Sequence, residues 1–245
     1  AQMAGRGYDI IAVSNQPVEL ESTAQELRSA YGVRVHCIDI DLATNDAALT
    51  IFNRCNSEGW RVDVLICNAG MLLFSTLVKT DPERLHTIIE LHCTTTTLLC
   101  RYFGEVMKQR GKGRILIMSS STAWLPYPTI SHYAATKAYL KSFAQSLWYE
   151  LREHNVTVTT LFPGAVDTPL YNLSDSKRRL FRALGVMSSA QSVAKKGLRA
   201  MNRRRRRVIP GLFTKIVVAI CAVLPAVVLL PVMKIPAIRR ILDRL

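Results

Sequence analysis

Acidic residues are scarce in this chain. Its 245 residues hold 18 Asp and Glu against 32 Lys and Arg, a net charge of +14. Such a balance points to an anionic partner, nucleic acid or membrane. No aromatic residue interleaves the arginines of "RRRRR" at 203–207, as a stacking single-strand binder requires. Paired cysteines are missing as well. The six cysteines (Cys37, Cys55, Cys67, Cys93, Cys100 and Cys221) form no CxxC and no metal-type spacing. That excludes a zinc ribbon or a disulfide scaffold and predicts reduced thiols, most of them in apolar runs. The opening "AQMAGRGYD" lacks the apolar segment of a secretory leader. Internal repeats and low-complexity linkers are absent before residue 203. The expectation is a cytoplasmic globular protein.

Half of the residues are hydrophobic and one fifth are charged, enough apolar surface for a real core. Much of the positive charge lies late: KRR at 177–179, KK at 195–196 and the arginine run at 203–207. Directly behind comes "IVVAICAVLPAVVLLPVM", residues 216–233. A basic block beside an apolar block suits an anionic membrane surface better than DNA, so no nucleic-acid partner is expected. The apolar run is long enough to span a bilayer. However, Pro225 and Pro231 interrupt it, and Arg239, Arg240 and Arg244 make the far flank basic too. Two basic flanks disfavour a single crossing. Residues 212–245 are therefore read as a tail separate from a domain at 1–211. The tail is either a proline-broken anchor lying peripherally on the cytoplasmic face, or helices that cap a pocket or form a dimer contact.

Strand-like and helix-like segments alternate. Strands are expected at 8–14, 33–42, 62–67, 113–120, 156–164 and 205–211, and helices at 17–32, 45–59, 81–111, 131–151 and 189–203. Asp81 and Pro82 open the third helix as N-cap and first residue. The strands are nearly continuous in apolar residues. The fold class is therefore α/β, a doubly wound parallel sheet of Rossmann type with helices on both faces. Ligands in such sheets sit at the carboxyl ends of the strands. Three unusual stretches fall at those ends: "CNAG" at 67–70, "SSST" at 119–122 and "PGAVDT" at 163–168.

In "SHYAATKAYLKSF", Tyr133 and Lys137 lie four apart on one helix face. A nearby ammonium favours the phenolate and makes the tyrosine a usable acid or base near neutral pH. One YxxxK is common. The order Asn68-Ala69-Gly70, then Ser120, then Tyr133-x-x-x-Lys137 thirteen residues later, then Pro163-Gly164-x-x-x-Thr168 is not. Over residues 1–211 these motifs resemble the short-chain dehydrogenase/reductase family.

The resemblance implies an NAD(P)-dependent oxidoreductase, a carbonyl reductase or alcohol dehydrogenase. Tyr133 is then the proton donor. Lys137 lowers its pKa and reaches a cofactor ribose, and Ser120, with the family's thirteen-residue spacing, holds the substrate oxygen. The family usually places an asparagine of a proton relay in the middle of the long helix. "IIELHCTTTT" puts His92 there, either as a replacement relay or as a buried, hydrogen-bonded histidine. For the cofactor, the resemblance implies Asn68, Ala69 and Gly70 beside the adenine ribose, and Asp41 with Leu42 at the adenine. Asp41 also reads as the first acid of the following helix. Pro163, Gly164, Val166 and Thr168 fall at the nicotinamide. Ser14 and Asn15 follow the strand that selects the cofactor. No acid stands there to bind a ribose 2′-hydroxyl, which favours NADP over NAD, although the family's arginine is missing too. The apolar tail suggests a lipophilic ketone or ketoacyl substrate. Family resemblance also suggests homo-oligomers built through the two long helices. The competing reading is a non-catalytic, membrane-associated Rossmann-like binding module.

One family element has no counterpart. Members open with a strand and a glycine-rich phosphate turn, whereas this sequence starts at what matches the end of the first helix. Gly5-Arg6-Gly7 precedes the wrong strand, and Gly7 reads as a helix-terminating residue. The expectation is a chain that begins after the phosphate loop, with a strand missing between 8–14 and 62–67. Such a chain should bind NADP(H) weakly and turn over little, and about 25 upstream residues should restore both.

Overall fold

The computed structural model describes residues 1–72, 75–124, 130–168, 179–182 and 185–223. Strand β1 (Ile10–Ser14) leads to helix α1 (Pro17–Tyr31), then β2 (Val35–Asp39), α2 (Ala47–Ser57) and β3 (Val64–Cys67). The long helix follows in three parts: α3 (Pro82–Ile89), a π-helical turn (Glu90–Thr94) and α4 (Thr95–Arg110). Asp81 caps it, accepting the Glu83 N–H at 3.0 Å, and Pro82 is its first residue. Next come β4 (Gly113–Met118), α5 (Ser131–Leu151) and β5 (Val156–Leu161). The short strands β6 (Ala165–Asp167) and β7 (Met187–Ser189) precede α6 (Ala190–Asn202), β8 (Arg207–Val208) and α7 (Leu212–Val223). Gly7, as expected, ends a short 3-10 turn in the left-handed conformation, at φ 78°.

Every strand pair among the described residues is parallel. Side chains of β4 alternate between faces, as the pleat requires. Ile115 and Ile117 enter the main core with Phe103, Met107, Leu140 and Val158. Leu116 joins Leu161, Val193, Leu198 and Met201 beneath α6. Helix α1 covers one face of β1 and β2 through Ala24 and Leu27. The sheet is thus wound on both faces. All six expected strands are shorter in the structure, three of them by three residues or more. The 33–42 segment pairs only over Val35–Asp39, 156–164 ends at Leu161, and 205–211 contributes two residues opposite Thr160 and Leu161. The pair β6–β7 was not foreseen.

The sheet is divided. One part has the order β1-β2 and the other β3-β4-β5-β8, and β1 does not pair with β3. Between their facing edges lies a cleft of about 1170 Å³, lined by Ile10, Ile11 and Val13 on one side and Val64, Leu65 and Ile66 on the other. Ile66, in the middle of an apolar strand, is therefore 41% exposed.

Helix α7 turns Thr214 and Val218 inward and packs on the turn at Ser121–Trp124. No described helix is long and apolar enough to cross a membrane. Of the apolar run 216–233, only 216–223 lies among the described residues; Pro225, Pro231 and the arginines at 239, 240 and 244 fall outside. All six cysteines are free thiols.

Candidate active site

Three strands and two helices deliver the site. Strand β4 ends at Met118 and hands the chain to Ser119 and Ser120, both buried. Their hydroxyls do different things. Ser119 Oγ donates to the Lys137 carbonyl at 2.8 Å and so fastens α5 to the strand end. Ser120 Oγ accepts the Thr122 N–H at 3.1 Å, and its own proton has no acceptor among the described residues. A serine in that state can still donate to a substrate oxygen.

Helix α5 places Tyr133 and Lys137 on one face, with Lys137 Nζ 5.4 Å from the Tyr133 ring centre. Lys137 is only 4% exposed. It has no carboxylate partner among the described residues, and its one backbone contact is the Met118 carbonyl at 3.4 Å. Burial lowers its pKa to about 8. An ammonium carries three donors, so two remain for hydroxyl groups entering the site.

The π turn swings His92 inward, and its ring lies edge-on to Tyr133 at 5.8 Å between centres. π-helical turns inside α-helices mark functional positions often. The Met71 N–H donates to His92 Nε2 at 3.0 Å. That nitrogen is therefore bare, and the proton sits on Nδ1, 2.8 Å from Thr136 Oγ1. Thr136 in turn donates to the Tyr133 carbonyl at 2.8 Å. Burial and the Lys137 charge hold the His92 pKa down to about 2, so the ring is neutral. His92 thus bridges the loop after β3 to the backbone of α5, with both nitrogens occupied. Gly70 is required beside it, since a Cβ there would lie 2.9 Å from His92 Nε2 and 3.6 Å from Lys137 Nζ.

The remaining candidates fall into two groups. Ser14, Asn15, Asp41, Leu42, Asn68, Ala69 and Gly70 all line the cleft. Asp41 Oδ1 accepts the Ala43 N–H at 2.9 Å, closing its own turn, and the Leu42 carbonyl accepts from Thr95 Oγ1 at 2.7 Å, tying β2 to α4. Pro163, Gly164, Val166 and Thr168 follow β5 on the far side of the serines. The Pro163 carbonyl accepts the Ser121 N–H at 2.9 Å, so this group joins the serine turn directly. A Cβ at Gly164 would meet Thr214 Oγ1 at 2.5 Å; helix α7 takes up the close approach that glycine permits there. The Thr168 hydroxyl lies 3.4 Å from the Val166 carbonyl. Met71, Thr136 and Thr214 are the participants the sequence did not disclose. A backbone N–H, a helix threonine and a distant helix carry no local pattern.

The family profile described as short chain dehydrogenase matches residues 1–179. The chain belongs to that family. It is 29% identical over 171 residues to human 17-beta-hydroxysteroid dehydrogenase type 3, covering 69% of this chain and 54% of that protein. It is 28% identical over 180 residues to the very-long-chain 3-oxoacyl-CoA reductase of Vanderwaltozyma polyspora, covering 69% and 51%. The chain spans about half the length of these curated relatives. A short-chain dehydrogenase from Sphingobium yanoikuyae, solved in complex with NADPH, superposes with a TM-score of 0.77 at 27% identity, over 86% of this chain and 81% of that one. A 7beta-hydroxysteroid dehydrogenase shares the fold at TM-score 0.81 and 21% identity, over 89% and 83%.

Proposed function

We propose that the chain carries the catalytic machinery of an NADP(H)-dependent carbonyl reductase or alcohol dehydrogenase for a lipophilic ketone or ketoacyl group. One observation carries the reading: a buried, carboxylate-free Lys137 one turn from Tyr133, with the unspent hydroxyl of Ser120 on the neighbouring strand end. The free donors of Lys137 and the cleft beside Gly70 fit a dinucleotide. Ser14, Asn15, Asp41, Leu42, Asn68, Ala69 and Gly70 would hold its adenosine end. Tyr133, Lys137, Pro163, Gly164, Val166 and Thr168 would hold the nicotinamide end. When bound, the cofactor supplies the hydride.

The chain's own residues handle the oxygen. Ser120 donates to the carbonyl oxygen and fixes its position. Tyr133 delivers the proton to the same atom as negative charge develops there. The Lys137 ammonium makes that phenol a stronger acid. In the alcohol-oxidising direction the same groups take the proton away. His92 is assigned a positioning role in place of the relay that family resemblance implies, because both its nitrogens are engaged. Tyr133→Phe and Lys137→Met, assayed with NADPH and a panel of steroid and acyl ketones, test the assignment. Retention of most of the activity by Tyr133→Phe removes the mechanism.

The lipophilic substrate class draws support from the hydroxysteroid and 3-oxoacyl relatives. The tail at 212–245 is proposed as a peripheral contact with the cytoplasmic face of a membrane. The outer faces of α4 and α5, with Val106, Tyr139 and Tyr149 exposed, are proposed as a self-association surface. A second reading, a non-catalytic binding module, is favoured by one observation: the open cleft beside the adenosine-side residues. The openness of the cleft between β1 and β3 argues for weak NADP(H) binding by this chain. Turnover of any ketone, abolished by Tyr133→Phe, excludes the module.

A further inference from the structure

The basic and apolar features of the late sequence meet at one place on the surface. Lys196 and Arg199 on α6, Arg203 and Arg205 in the turn after it, and Lys215 on α7 line a pocket of about 380 Å³. No acidic residue lines it, and none of these five side chains pairs with any described residue. Leu212 forms part of the pocket wall and also begins a stripe along α7. Leu212, Ile216, Ile220 and Val223 follow one another at helical spacing, with exposures from 48% to 82%. Phe213 stands beside them, also exposed, while Thr214 and Val218 occupy the opposite, buried face. Concentrated unpaired cations and a contiguous apolar stripe on a folded surface call for a partner that is anionic and apolar in layers.

We propose that this pocket and the α7 stripe form a docking surface for a bilayer carrying anionic phospholipids. The pocket takes a headgroup phosphate, and the stripe lies at the boundary between headgroups and acyl chains. The inference rests on the membrane part of the preceding reading and names the residues that make the contact. A nucleic acid satisfies the cations but leaves the stripe in water, so the bilayer is the better match. The surface is coupled to the site. Thr214, on the inner face of the same helix, sits against Gly164, and α7 packs on the turn that follows Ser120. Docking therefore brings the nicotinamide-side turn and the serine turn close to the lipid, where a lipophilic ketone is most concentrated.

The test is co-sedimentation of the 245-residue chain with phosphatidylcholine vesicles, with and without phosphatidylserine. The chain should bind only the phosphatidylserine vesicles, and more weakly as salt rises. Each of Arg199→Gln, Arg203→Gln and Arg205→Gln should lower partitioning about fivefold, and the triple variant on the order of 100-fold. Ile216→Ser with Ile220→Ser should lower it independently of salt. These positions are exposed, so unchanged circular dichroism and melting establish that each variant is folded. Full binding by the triple variant overturns the pocket and leaves membrane association itself standing. Absence of binding to either vesicle overturns the membrane reading together with the pocket. Two other results also overturn the proposal. One is duplex DNA displacing the chain from vesicles at matched charge. The other is a dimer in sedimentation velocity that Ile216→Ser dissolves, which would make a second copy the occupant of the stripe.

Discussion

Ile117 and Ile66 belong to adjacent paired strands and meet opposite surroundings. Ile117 in β4 has paired strands on both sides and helices on its face, and is fully buried. Ile66 in β3 has a partner on one side only and is 41% exposed to the cleft. The same contrast separates the two halves of the molecule. Around β3–β4–β5, hydrogen bonds converge on the proposed catalytic cluster: Ser119 to α5, Met71 through His92 and Thr136 to Tyr133, Pro163 to Ser121. Around β1 and β2, the residues proposed for the adenosine side line open space. The candidate proton-handling groups hang on β4 and α5, whereas the candidate adenosine-side residues border the cleft between β1 and β3, so the two can be perturbed separately.

The largest expected effect breaks the ordered half chemically. Tyr133→Phe should lower any ketone reduction by about 10²–10⁴-fold while leaving the melting temperature nearly unchanged; a loss of less than tenfold contradicts the proton-donor assignment. The next contrast is in packing. Ile117→Ala should cost about 2–5 kcal/mol by urea denaturation, and Ile66→Ala about 1 kcal/mol or less, since little is buried there to lose. Equal costs erase the difference between the halves. Gly70→Ala should then destabilise by about 1–3 kcal/mol, because its Cβ collides with the His92 bridge; a neutral outcome places the bridge elsewhere.

A smaller effect is a slope. The His92 pKa is depressed in the folded chain and normal in the unfolded one. Between the two values the unfolded state binds the extra proton, so stability falls as pH drops below about 6.5, at about 1.4 kcal/mol per pH unit from this one group. His92→Gln should flatten the acid limb of the stability curve by that amount. An unchanged slope means that the ring is not held neutral.

Much of this architecture was legible in the sequence. Apolar strands alternating with helices defined the parallel doubly wound sheet, and helix α5 has the bounds its pattern implied. The spacing from Ser120 to Tyr133 and Lys137 located the cluster, and the structure distinguishes Ser120 from Ser119 by what each hydroxyl has left to give. The π turn stayed hidden because one changed hydrogen bond hardly alters a hydrophobic period. The occupation of both His92 nitrogens was equally invisible: its partners lie 21 and 44 residues away, and one is a backbone N–H. Strands β6 and β7, three residues each, are too short to show alternation.

The central claim, an ordered cluster proposed for catalysis beside an open cleft proposed for the nucleotide, is tested most directly by titrating the 245-residue chain with NADPH and following cofactor fluorescence. Open edges at β1 and β3 predict weak binding, with Kd about 1 mM or higher, equivalent to about 4 kcal/mol or less. A Kd of about 1 μM, twice that free energy, would contradict the account and require the phosphates to be held by residues outside the cleft.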